Sequence, residues 1–461
     1  MLEGLLEVTI LAIGYYFVWR QGYAKELFPT YFGYGKYVLA GVYMVLLLVL
    51  FFGFDGFKFG YLRISDALLS QWIAIIIANF ITYWQLCLIA NTVISPMPIL
   101  VLTAGGGAVS LICVVFYNWL YHRLYVPKNM VMILGNDSAV SLKFKMETRP
   151  DKYRVEKIIS IEEGLERICA QIVNYDAVII NDVHSQIRND ILKFCYENKL
   201  RTYITPKITD IVIRGATSIN LFDTPLLLTR GGGLTPVQQL IKRIIDLVIS
   251  LIAIILASPF MLLAAIAIKI EDGGPIFYKQ ERVTKDGKLF NILKFRSMIV
   301  DAEKKGGPQM AAVKDPRITK VGRIIRATRI DEMPQLFNIL KGDMSIVGPR
   351  PERQSYIKKF CKETPEFTYR LKVKGGLTGY AQIYGKYNTS PYDKLRMDLI
   401  YVEKYSLLLD IKLMLMTLRI MLKKESTEGF AEGSQNEKET ESILKEMHEA
   451  TEKEQEESTV G

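Results

Sequence analysis

The sequence predicts a membrane protein with three folded parts: an N-terminal four-helix transmembrane bundle, a small α/β domain, and a second α/β domain that begins with a long apolar helix. Half of the 461 residues are hydrophobic, although 23% are charged. The long apolar stretches are concentrated near the N-terminus and again at 244–268, where Asp246 is the one charged residue. The remaining sequence alternates strand-like and helix-like pieces, which is typical of α/β domains.

Within residues 1–125 we predict four transmembrane helices. Residues 2–19 form the weakest candidate because they include two glutamates, whereas residues 37–54 carry no formal charge. Residues 67–121 are also uncharged and long enough for two crossings, with a turn at 95–98. The start lacks the features of a cleavable signal peptide.

The basic residues that flank these helices give conflicting indications of their orientation in the membrane. Basic residues after the fourth helix, Arg123 and Lys128, favour a cytoplasmic exit, and four crossings then place the N-terminus inside. The first loop would lie outside while carrying Arg20, Lys25 and Lys36, against the positive-inside tendency. The orientation of the first span therefore stays open.

Residues 126–230 are predicted to form a small Rossmann-like α/β domain. The expected parallel strands are 130–134, 177–180 and 201–204, and the expected helices are 161–173 and 187–198. Gly135 follows the first strand, but no GxGxxG pattern continues from it. Regulation or oligomer contacts, including a homodimer, are therefore favoured over cofactor binding. A flexible joint at 230–233 ends the domain.

The apolar run 244–268 permits two interpretations. A straight helix of this length would reach roughly 37 Å and span a bilayer. Ser258 and Pro259 interrupt the run, and cationic residues flank both ends. We favour a re-entrant helix, broken at Ser258 and Pro259, that enters one leaflet and returns to the cytoplasmic side.

The net charge of +10 is reached despite a Glu-rich segment at 425–461, which we predict to be disordered. The basic body favours an anionic membrane surface or anionic substrates. Nucleic acid is the rival partner, but no nucleic-acid-binding module is recognisable, so we expect none. The five cysteines have no CxxC pair and the three histidines suit neither a zinc site nor a triad. The chemistry must then depend on carboxylates, lysines and arginines.

Asp331 and Glu332 are adjacent acids in a segment rich in arginine. Such a pair before a proline often marks only a helix start. Neighbours on a helix point about 100° apart, so two such acids suit divided roles. One can act as a nucleophile while the other binds Mg²⁺, with Lys294, Arg326 and Arg350 around phosphate oxygens.

Three segments, 294–298, 326–336 and 347–351, resemble the bacterial sugar transferases, or polyisoprenyl-phosphate hexose-1-phosphate transferases. Residues 236–424 resemble the catalytic domain of these monotopic phosphoglycosyl transferases. The four N-terminal spans and the small α/β domain resemble those of long-form members, which initiate capsule or exopolysaccharide repeat units. The resemblance implies a monotopic α/β catalytic domain whose re-entrant helix is broken at Ser258 and Pro259.

The resemblance also implies a two-step reaction. Asp331 would attack the β-phosphate of a UDP-sugar, release UMP and hold a sugar phosphate covalently. Undecaprenyl phosphate would then accept the sugar phosphate, and Glu332 would bind Mg²⁺. The substrate-binding residues implied are Lys294, Arg296, Arg326 and Arg350.

The resemblance favours glucose or galactose as the sugar and leaves an N-acetyl sugar open. The expected location is the bacterial inner membrane, as a multi-pass protein among membrane lipids with its catalytic domain cytoplasmic. One alternative is a membrane scaffold or regulator that kept the fold without turnover. Another is a glycosyltransferase that passes only the sugar and releases UDP.

Overall fold

The computed structural model describes residues 2–24, 34–135, 140–229, 231–300, 315–385 and 389–421. The predicted tail at 425–461 lies outside these residues. The chain divides into two compact units. One comprises Met1–Val126 with Met414–Leu422, and the other includes Pro127–Leu413.

Within the described residues, the first unit contains α1 (Leu2–Gly22), α2 (Gly35–Gly53), α3 (Ile64–Ala90) and α4 (Met97–Leu124). The four predicted N-terminal helices are therefore confirmed. Asn91 adopts a left-handed conformation at the end of α3, and Pro96 precedes α4, so the turn falls where the sequence placed it. Inward-facing apolar side chains form one core, in which Leu47 and Phe51 are fully buried.

Three of these helices, α2, α3 and α4, are long and apolar enough to cross a membrane, and so is a later helix at Pro236–Asp272. Helix α1 is not among these candidates. Its Glu7 is fully buried and accepts a hydrogen bond of 3.0 Å from Gln71 Nε2 of α3. Ser110 of α4 donates to the other end of the same amide. The chain thus has the helices of a membrane protein, and its first helix carries a paired acid.

The second unit begins with a four-stranded parallel sheet of order β2-β1-β3-β4. Its elements are β1 (Lys128–Leu134), α5 (Val140–Glu147), β2 (Tyr153–Ser160), α6 (Leu165–Ile172), β3 (Ala177–Asn181), α7 (Ser185–Glu197), β4 (Arg201–Ile204) and α8 (Ile208–Arg214). The three predicted parallel strands are confirmed. Strand β2 was not predicted because it lies at the edge and alternates exposed with half-buried residues. The predicted helix 161–173 is divided at Gly164, whose φ of 86° separates a 3₁₀ turn from α6.

An antiparallel hairpin of β5 (Thr217–Leu221) and β6 (Thr224–Leu228) follows, and then three glycines at 231–233 with positive φ. Helix α9 (Pro236–Asp272) begins at a capping box, in which Thr235 accepts from Gln238 N. Its 37 residues correspond to about 55 Å. Helical structure continues through Ser258 and Pro259, which differs from the predicted helix–break–helix. The re-entrant path through a membrane stays a prediction.

The remaining helices and strands follow α9 along the chain. They are β7 (Phe277–Val283), β8 (Leu289–Phe295), α10 (Lys320–Ala327), α11 (Gln335–Lys341), β9 (Ser345–Val347), α12 (Gln354–Glu363), β10 (Gly376–Thr378), α13 (Tyr380–Tyr384), α14 (Pro391–Glu403) and α15 (Leu407–Met421). Strands β7 and β8 form an antiparallel ribbon, and β9 pairs in parallel with β10. Helices α14 and α15 are separated by a short break at 404–406, and α14 buries Leu395 and Leu399 in the core.

Candidate active site

Asp331 and Glu332 lie in a single 3₁₀ turn, Ile330–Glu332, between α10 and α11. Arg329 precedes this turn in the left-handed conformation, with φ of 59°. Non-glycine residues rarely adopt this conformation, and it ends α10 sharply. Pro334 then starts α11, so the two carboxylates are held at a tight joint between two short helices.

Glu332 is bound by two cations from other elements. Lys294 Nζ of β8 donates to Glu332 Oε1 at 2.8 Å, and Arg350 Nη2 donates to the same oxygen at 2.9 Å. Burial alone would raise the pKa of Glu332, but Arg350 and Lys294 outweigh it and hold that pKa well below its usual range. Glu332 is therefore an anion at any pH at which the protein would work.

Asp331 is in the opposite situation. Its Oδ1 is buried and has no hydrogen-bond partner among the described residues. Burial raises the pKa of Asp331, and the charge of Glu332 adds to the rise. Lys294, Arg326 and Arg329 oppose that rise. An oxygen without donors keeps its lone pairs available, which is the condition a nucleophile requires.

Two glycines allow Arg350 to reach this position. Gly348 directly follows β9 and Gly376 is the first residue of β10, and the two stand backbone to backbone. A Cβ on Gly376 would clash with the main chain of Gly348. Gly348 N donates to Thr378 O at 2.8 Å across this contact. The chain leaves β9 through Gly348 and Pro349 and arrives at Arg350 beside Glu332.

The predicted basic residues are placed unequally. Lys294 and Arg350 contact Glu332, and Arg326 lies in the last turn of α10, where its charge acts on Asp331. Arg296 does not join them. It is buried and pairs with Asp272 at the end of α9. Arg296 therefore lies apart from the other three, and its role in substrate binding stays a prediction.

A small cavity of about 10 Å³ is lined by the two cations that contact Glu332. Arg282 and Gln335 line it together with Lys294 and Arg350. Gln335 is only 3% exposed, and its Nε2 has no partner among the described residues. Sequence reasoning missed both residues. Arg282 was one of many basic residues, and Gln335 was noted only as part of a motif.

The acidic side chains at the candidate site could hold a divalent cation only with help from other ligands. No group of three or more His, Cys, Asp or Glu side chains in the described parts of the chain forms a closed metal site. Mg²⁺ binds through one or two carboxylates when substrate phosphates and water complete its octahedron. Glu332 fits this mode because it is ionised and both of its cations contact Oε1, which leaves Oε2 for a metal.

Comparison with known proteins points to one family. The family model for bacterial sugar transferases matches residues 237–424. The chain is 43% identical over 191 residues to the UDP-N-acetylgalactosamine-undecaprenyl-phosphate N-acetylgalactosaminephosphotransferase of Aeromonas hydrophila, covering 41% of this chain and 45% of that protein. It is 34% identical over 258 residues to the UDP-glucose:undecaprenyl-phosphate glucose-1-phosphate transferase of Klebsiella pneumoniae, covering 55% and 54%.

A protein of the same name from Caulobacter vibrioides is 40% identical over 208 residues, which cover 43% of this chain and 77% of the relative. The chain spans about half the length of the first two relatives. Asp331, Glu332, Lys294 and Arg350 all lie inside the region matched by the family model. The chain belongs to the bacterial sugar transferase family.

Proposed function

We propose that the protein transfers a sugar 1-phosphate from a UDP-sugar to undecaprenyl phosphate, releases UMP and so initiates a surface polysaccharide. The proposal rests on the pair of acids. Among the described residues, Asp331 Oδ1 accepts no hydrogen bond, and the neighbouring Glu332 is held ionised by two cations. The relatives named above are transferases of this class.

The proposed reaction has two displacements at one phosphorus. An Asp331 oxygen attacks the β-phosphorus and forms a carboxylate–phosphorus bond, while the bond from that phosphorus to the bridging oxygen breaks. The bridging oxygen leaves with UMP. A phosphate oxygen of undecaprenyl phosphate then attacks the same phosphorus, and the Asp331 carboxylate leaves. Each step exchanges one P–O bond for another, and the second step restores the Asp331 carboxylate.

The basic residues around Asp331 would stabilise the negative charge of the substrate phosphates. Lys294 and Arg350 carry fixed positive charge next to the pair, and Arg326 lies within electrostatic range of Asp331. Cations at this position stabilise the oxygens of a transferring phosphoryl group. Glu332 would hold Mg²⁺, which when bound neutralises phosphate charge. Burial of Asp331 reduces its solvation and so favours attack.

The test is product identification with the full-length chain in detergent, supplied with Mg²⁺ and undecaprenyl phosphate. We expect UMP from one member of a panel of UDP-glucose, UDP-galactose and UDP-N-acetylgalactosamine. UDP in place of UMP would identify a transferase of the sugar alone. No nucleotide product from any donor would favour the scaffold or regulator alternative.

A second measurement tests the covalent step. Enzyme incubated with the donor alone should gain the mass of a sugar phosphate on the peptide that contains Asp331. An enzyme that turns over yet never carries this adduct would contradict the two-step scheme and favour direct transfer.

A further inference from the structure

The main chain at Arg350 and Pro351 is held by two arginines from other elements, one buried and one partly buried. Arg370 Nη2, in the 3₁₀ segment Pro365–Lys372, donates to the carbonyl oxygen of Arg350 at 3.0 Å. Arg282 Nη1, in β7, donates to the carbonyl oxygen of Pro351 at 3.1 Å. Arg370 is 3% exposed, whereas the side chain of Arg350 is 43% exposed and reaches Glu332. The backbone of Arg350 is therefore fixed from inside the domain.

The position of Arg370 depends in turn on Asp398 of α14. Arg370 Nη2 lies 2.7 Å from Asp398 Oδ2, and Asp398 is 1% exposed. The other anion near Arg370 is Glu352, at 3.9 Å from Nη1, and Glu352 is also 3.6 Å from Arg282. The stronger contact of Arg370 is thus the one with Asp398. A guanidinium this deeply buried is costly without a charged partner.

We propose that Arg370 and Asp398 are positioning residues for the transfer reaction, and that they act through the main chain of Arg350 without touching substrate. The inference rests on the proposed function. Arg370 on the 3₁₀ segment and Asp398 on α14 would together keep the Arg350 guanidinium in contact with Glu332. A displacement of about 1 Å at such a group is enough to slow a reaction substantially.

The pair also supplies a pH signature. Burial raises the pKa of Asp398 to about 6, although Arg370 and Lys394 favour its charged form and Glu352 opposes it. As the pH falls through this value, Asp398 becomes neutral and Arg370 loses its closest anion. Turnover should fall with it, because Arg350 is then less firmly fixed.

The experiment measures UMP release by the full-length chain at pH 7.5 and across pH 5–8. Asp398→Asn keeps the shape of the side chain and removes its titration, and Arg370→Lys keeps the charge with fewer contacts. We expect each variant to lose roughly tenfold in kcat, as for other residues that support a ligand indirectly, with a much smaller change in KM for the donor. Asp398→Asn should also flatten the acid limb that the parent shows near pH 6.

A double-mutant cycle identifies the route of the effect. If Arg370 acts through Arg350, then Arg370→Lys should cost much less in an Arg350→Lys background than in the parent. Additive losses would overturn the inference. Asp393→Asn, the same change on the same helix at a residue paired with Arg396, is the matched control and should leave kcat unchanged.

The outcomes separate this inference from the proposed function. A parent that releases no UMP contradicts the function. A parent that releases UMP, with variants of unchanged kcat or with losses confined to KM, contradicts the positioning role alone. Thermal unfolding is recorded for every variant, and if Asp398→Asn does not fold, the cycle with Arg370→Lys decides the question.

Discussion

At the scale of single residues, two adjacent acids have acquired opposite electrostatic environments. Among the residues that the structure describes, Glu332 receives two donors on one oxygen, whereas Asp331 Oδ1 receives none. The pKa of the first is lowered and that of the second is raised. Environments that separate the properties of neighbouring carboxylates are typical of catalytic pairs, because each acid can then take a different role.

Replacing Asp331 by Asn should reduce UMP release by at least roughly a thousandfold, because the amide cannot form the bond to phosphorus. The sugar-phosphate adduct should disappear as well, as measured by mass spectrometry. Asp343→Asn, beyond the far end of α11, is the matched control. Near-normal turnover by Asp331→Asn would mean that another group is the nucleophile.

Replacing Glu332 by Gln should raise the Mg²⁺ concentration needed for half-maximal rate by roughly tenfold, because the charged ligand is lost. Burial lowers the pKa of Lys294, whereas the negative charge of Glu332 raises it. The pKa of Lys294 should therefore fall further when that charge is removed. The alkaline limb of the pH–rate profile should therefore move to lower pH. If the Mg²⁺ titration and the alkaline limb both match the parent, neither the ligand role nor the coupling to Lys294 holds.

Sequence reasoning identified candidate site residues within a local motif and missed residues whose contacts are distant in sequence. Asp331, Glu332, Lys294 and Arg350 were predicted, and three of them are in direct contact. Arg296 lies two residues from Lys294, a spacing that places both on one face of a strand. Strand β8 ends at Phe295, so the alternation stops there and Arg296 reaches Asp272. Arg370 and Asp398 gave no signal, because their partners are distant in sequence.

At the scale of elements, the pairing of β9 with β10 decides where Arg350 stands. The Gly376→Ala variant should unfold at a temperature lower by several degrees and lose most of its activity, because the new methyl group would force the two strands apart. Gly41→Ala in α2 meets no atom within 4 Å and should change neither quantity. A Gly376→Ala variant with the parent's melting curve would show that the strands have room to separate.

Helix α9 is long enough to span a membrane, and the alternative is a re-entrant path that returns to the same side. We predict that both of its ends lie on the cytoplasmic side, so Gln239→Cys and Ile270→Cys should both react with an impermeant maleimide applied to that face. The parent, with its five native cysteines, gives the background. Labelling of the two positions from opposite faces would establish a spanning helix and exclude the re-entrant path.

The strands of the small sheet were predictable because their apolar runs are continuous and flanked by turns, as for β1 and β3. Strand β2 and the β5–β6 hairpin were not, because an edge strand with polar alternation resembles a loop in sequence. The uninterrupted course of α9 was also missed. Proline removes one hydrogen bond and bends a helix, but neighbouring turns can carry the helical structure through it.

At the scale of the whole molecule, the small α/β domain contacts the helix that supports the site. Arg396 of α14 lies 3.6 Å from Asp182, at the carboxyl end of β3, and Asp393 of the same helix lies 3.7 Å from Lys145 of α5. Asp398 is carried by this helix as well. The predicted domain order along the sequence did not indicate that one helix would contact both the small α/β domain and Arg370.

The buried Glu7–Gln71 contact imposes an order of events on membrane insertion. A carboxyl group in α1 has no suitable neighbour in hydrocarbon, since lipid tails neither donate nor accept hydrogen bonds. Its partner is supplied by α3, which the ribosome synthesises later, and Ser110 arrives later still with α4. We therefore expect the α1 segment to stay at the interface, or beside the insertion machinery, until α3 and α4 have been synthesised.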